Sequence, residues 1–141
     1  MIRKIALGLA AATTFAFAVP AIAQDEEEPR TTYEIRFVDI APGKQQEWFE
    51  LAQKHFMPAR EAAGLPPVSI HWLMTGDYDI MMLMPMPGGM ATMDTHNPAD
   101  GQAMWKALVA QEGSEDAVNA LFAKASELTL KSKSLYSHTH P

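Results

Sequence analysis

The chain has no cysteine among its 141 residues. That excludes disulfide staples, thiol catalysis and lipid attachment at a cysteine. Basic residues are scarce: 11 Lys plus Arg face 17 Asp plus Glu. Arg3 and Lys4 fall in the first 23 residues, which hold no acid, so the remainder carries 9 against 17 and a formal charge of −8. Such a balance disfavours nucleic acid and anionic membrane as partners. No phosphate loop, dinucleotide fingerprint, zinc-protease motif or serine elbow occurs. Beyond the first residues, no apolar run is long enough to cross a bilayer.

The first 23 residues read as a cleavable export signal. Arg3 and Lys4 supply the positive start, Ile5 to Val19 the apolar stretch, and Ala21-Ile22-Ala23 the small residues before the cut. Cleavage is expected after Ala23, which places the mature chain in a periplasm or outside the cell. Asp25 to Glu28 then form an acidic, solvated tail within residues 24–30. Residues 31–141 are enough for one domain.

Period-two alternation from Thr31 to Ile40 predicts a strand. Ala41-Pro42-Gly43 ends it, and Lys44 to Ala63 reads as a helix, with Trp48, Ala52 and Phe56 on its apolar stripe and a kink at Pro58. Val68–Met74 and Tyr78–Met86 read as a hairpin around Thr75-Gly76-Asp77. A helix capped by Asn97 runs to Glu112, and a second runs from Ser114 to Leu128. Lys131 to His140 can form a last strand. This order predicts an α+β fold: an antiparallel four-stranded sheet with helices on one face. Tyr78–Met86 is apolar on both sides, so the sheet's other face needs a cover, and a second copy supplies it. A homodimer is the expectation.

Tyr33-Glu34-Ile35-Arg36, followed by Ala41-Pro42-Gly43-Lys44 and an aromatic-rich helix, resembles the opening of NIPSNAP-like proteins. Those belong to the dimeric α+β barrel superfamily of ferredoxin-like domains. Thr75-Gly76-Asp77-Tyr78-Asp79 resembles the central hairpin of several of its branches. The resemblance spans Tyr33 to Met86. It implies a ferredoxin-like barrel and, if the protein is an enzyme, monooxygenase-like oxygen chemistry without a cofactor or with haem, or isomerisation by proton transfer.

The candidate site residues follow from the strands. Glu34 and Arg36 share one strand face, where the guanidinium can hold a carboxylate or enolate; a plain ion pair is the competing reading. With Tyr33, Ile35 and Phe37 turned to the helices, that pair would face a cleft towards the partner. His71 is a candidate proton carrier. Trp72, Met81 and Leu83 are candidates for an apolar lining around a small, largely apolar molecule. Asp79 is expected to bond backbone within its own turn. His55 and His96 show no partner in the sequence. A second reading is a periplasmic copper-binding protein, with His138 and His140 on one side of a strand and Met82 and Met84 in a thioether row; methionine as core filler competes with it.

Overall fold

The computed structural model of the protein describes residues 30–140. The expected export segment, 1–23, and the acidic run lie outside the described residues. β1 (Thr32–Ile40) is followed by one helical stretch: α1 (Gln45–Leu51), a π-helical segment (Ala52–Phe56) and α2 (Met57–Ala62). β2 (Ser69–Trp72) and β3 (Ile80–Met86) come next, then a 3-10 turn (Gly89–Asp94). α3 (Ala99–Glu112), α4 (Glu115–Glu127) and β4 (Thr129–His138) complete the fold.

Local chemistry explains most boundaries. Pro58 has no amide hydrogen to give the preceding turn. The helix answers by widening just before it: the Met57 N–H bonds the Ala52 carbonyl, five residues back. The expected kink at Pro58 is thus taken up as a π-segment immediately upstream. Gly113, at φ 89°, ends α3 in the left-handed conformation, and its N–H bonds the Val109 carbonyl. Ser114 caps α4 by accepting from the Ala117 N–H. Asn97 does not cap α3. Pro98 takes that position, while Asn97 gives its N–H to Thr95 Oγ1 and its carbonyl to the Gln102 side chain.

The sheet order is β2-β3-β1-β4, with antiparallel neighbours throughout. This is the ferredoxin-like arrangement, and it places β3 centrally, between β2 and β1. β2 is shorter than the sequence suggests. Leu73 to Asp79 form a wide connection rather than a tight turn, closed by the Leu73 N–H bonding the Asp79 carbonyl.

Two apolar clusters hold the layers together. Val38, Ile40, Ile80 and Leu128 pack beneath Trp48 and Ala52, tying sheet to α1. Ala59, Leu108, Val118 and Leu121 tie the helices to one another, and Leu51 touches both groups. Val38 and Ile40 therefore set the inward parity of β1. Glu34 and Arg36 share that parity and face the helices, while Tyr33, Ile35 and Phe37 face away. This reverses the expected orientation. Both sides of β1 carry apolar groups, so alternation marks a strand without saying which side the helices cover.

Candidate functional site

The register of β1 against its neighbours places every candidate on one side of the sheet or the other. Arg36 lies opposite Met82 on one side and Ser134 on the other; Glu34 lies opposite Met84 and Tyr136. These residues share the helix side. His71 pairs with Met81, and Ile35 with Leu83, on the opposite side. His71, Met81 and Leu83 therefore do not meet Arg36, because the sheet stands between them. Trp72 has the helix-side parity but sits at the β2 edge against Phe49, with ring centroids 6.1 Å apart, and stays half exposed.

Between sheet and helices lies a cavity of about 360 Å³. Its floor is Arg36, Val38, Ile70, Met82, Met84 and Ser132. Its roof comes from α1 to α2 through Trp48, Ala52, Phe56 and Arg60, and from Met104, Phe122 and Ala125. Trp48, Ala52, Phe56 and Arg60 stand four residues apart and form one row along the helical stretch. The π-segment supplies Ala52 and Phe56, so the helix is widest where it roofs the cavity. Phe56 and Phe122 close the helix side with centroids 5.4 Å apart, and Trp105 stacks on Phe122 from behind at 6.3 Å.

The ionisable groups among the lining residues are two arginines. Arg36 is already satisfied: its Nε and Nη2 donate to Glu34 Oε1 at 3.0 and 2.6 Å. Ser134 Oγ donates to the same oxygen at 2.7 Å. The geometry shows Glu34 and Arg36 as an ion pair at the cavity wall, with the Arg36 side chain still partly in solvent. Arg60 differs. Its Nε donates to the Pro66 carbonyl at 2.5 Å and its Nη2 to the Pro85 carbonyl at 3.4 Å, and it forms no ion pair among the described residues. Burial lowers its pKa from the ordinary value, against the through-space pull of Asp100 and Glu34. Arg60 was not among the sequence candidates. Its signal was an arginine continuing the apolar Trp48, Ala52, Phe56 row.

Other candidates find different settings. Asp79 Oδ2 accepts from the Ile40 N–H at 2.7 Å, across the sheet rather than within its own turn. His55 has a partner: its Nδ1 lies 2.7 Å from Glu112 Oε1, joining the π-segment to α3. His138 and His140 do approach each other, with Nε2 atoms 3.1 Å apart. Met82 and Met84 lie on the far side of β1, about two strand spacings of ~5 Å away. The methionines line the cavity while the histidines end the β4 edge, so the two halves of a copper site are not assembled. To a haem iron the lining would offer methionine thioethers but no histidine, tyrosine or cysteine.

No family profile and no curated protein matches the chain. Solved structures do match in fold. A NIPSNAP family protein of Agrobacterium tumefaciens superposes with a TM-score of 0.54 at 16% identity, covering 78% of this chain and 86% of that one. A second NIPSNAP family protein, of unknown function and from the same bacterium, gives 0.51 at 12% identity, covering 77% and 87%. The chain therefore has the ferredoxin-like α+β fold of NIPSNAP family proteins.

Proposed function

We propose that the protein is an exported homodimer that binds a small, largely apolar molecule between its sheet and its own helices. The cavity carries the reading: about 360 Å³, walled by aliphatic, aromatic and thioether side chains with two guanidinium groups. Small-molecule sites have this size and this mixture of apolar wall and few polar groups. The leader-like residues 1–23 support export. The outward row of Tyr33, Ile35, Phe37, Met81 and Leu83 supports pairing of two sheets face to face.

Native mass spectrometry of the mature protein from its own periplasm tests the binding reading. A small organic molecule that is retained in the native spectrum and lost on denaturation is the expected result. Protein that arrives bare, and that also fails to bind any member of a panel of small apolar compounds, overturns it.

A further inference from the structure

We infer that the ligand carries a carboxylate, and that Arg60 is the residue that reads it. The inference rests on the binding reading above and deepens it. A guanidinium has five N–H donors. In Arg60 one Nε bond and one Nη2 bond are spent on the Pro66 and Pro85 carbonyls. Those two bonds come from one edge of the group and hold its plane, leaving three donors on and around Nη1. Such a fork matches the two oxygens of a carboxylate.

Charge accounting at the cavity points the same way. Arg36 is matched by Glu34, which also takes the Ser134 hydroxyl. No carboxylate lines the cavity, and Asp100 and Glu34 act on Arg60 only through space. A partly buried guanidinium bonded to carbonyls alone has lost water without gaining a counter-ion. An anionic head group supplies that counter-ion, and an apolar tail then lies along Met82, Met84, Phe56 and Trp48. The volume of about 360 Å³ falls within the range of small-molecule sites, which suits a medium-chain or aromatic acid.

The test compares octanoate with 1-octanol by calorimetry on the mature protein at pH 7, then repeats it on Arg60→Gln and Arg60→Lys. We expect octanoate to bind roughly tenfold or more tightly than octanol, as charge-assisted bonds outweigh neutral ones. Arg60→Gln should remove that preference and leave octanol binding intact, and Arg60→Lys should keep part of it. Equal affinities in the unaltered protein overturn the carboxylate without touching the cavity reading. A preference that survives Arg60→Gln overturns Arg60 as its reader. Failure of octanoate to bind, with or without octanol, overturns this inference, and the native mass spectrum and compound panel decide the cavity reading separately. Should Arg60→Gln not fold, the unaltered protein still decides: at pH 3.5, where octanoic acid is neutral, the preference must vanish if its charge is what is read.

Discussion

At the scale of single residues, the informative side chains are those bonded to something distant in sequence. Asp79 looked like a turn residue because aspartates near tight turns often bond local backbone. Instead it takes the N–H of Ile40, a buried residue where the pairing of β1 with β4 shifts register. Asp79→Ala should therefore lower stability by about 1–3 kcal/mol, the cost of a buried donor left without its acceptor. Urea unfolding checks this; the midpoint should fall with an unchanged slope, and Asp79→Asn should recover part of the loss. The partners of Arg60 and His55 were illegible for the same reason. Neither Pro85, which holds Arg60, nor Glu112, which holds His55, is a neighbour in the chain.

At the scale of elements, two devices hold the helical layer over the cavity. The π-segment before Pro58 widens the first helical stretch, and the Glu47–Lys124 ion pair pins α1 to α4 at 2.6 Å. Lys124 and Lys44 hold the Glu47 pKa down at about 2, and Glu47 correspondingly raises that of Lys124. A carboxylate whose folded pKa is depressed stabilises the fold above its ordinary value and loses that contribution as pH falls through the folded one. For Glu47 the window runs from 4.5 down to about 2. Thermal unfolding followed between pH 5 and pH 2 should fall less steeply in Lys124→Gln than in the unaltered protein. The difference should shrink in added salt, because both groups are exposed. Element order and most element ends were readable beforehand, since glycine, proline and capping serine act locally. β2 was overread, because an apolar run at a sheet edge has no local signal for where its pairing stops.

At the scale of the whole molecule, the helices occupy one side of a sheet that is apolar on both. Met81 and Leu83 on β3, with Ile35 and Phe37 beside them, form the uncovered side. If a second copy pairs sheet to sheet over that row, as proposed above, the mature protein should sediment at about twice its chain mass. Leu83→Glu, in the middle of the face, should halve the mass while leaving the circular dichroism of the fold unchanged. An unaltered protein that stays monomeric at micromolar concentration would refute the pairing. By itself the sequence determined the fold class, the order of strands and helices and the apolar character of both sheet faces. It could do so because helical and strand periodicities, and the residues that stop them, are properties of short stretches. Only the tertiary structure decided which face the helices cover. That choice turned Arg36 and Met82 inward, sent His71, Met81 and Leu83 to the other side, and brought Arg60 over the same cavity. The physical reason is parity. A strand apolar on both sides satisfies its pattern either way up, and distant packing around Val38, Ile40 and Ile80 settles which way it lies.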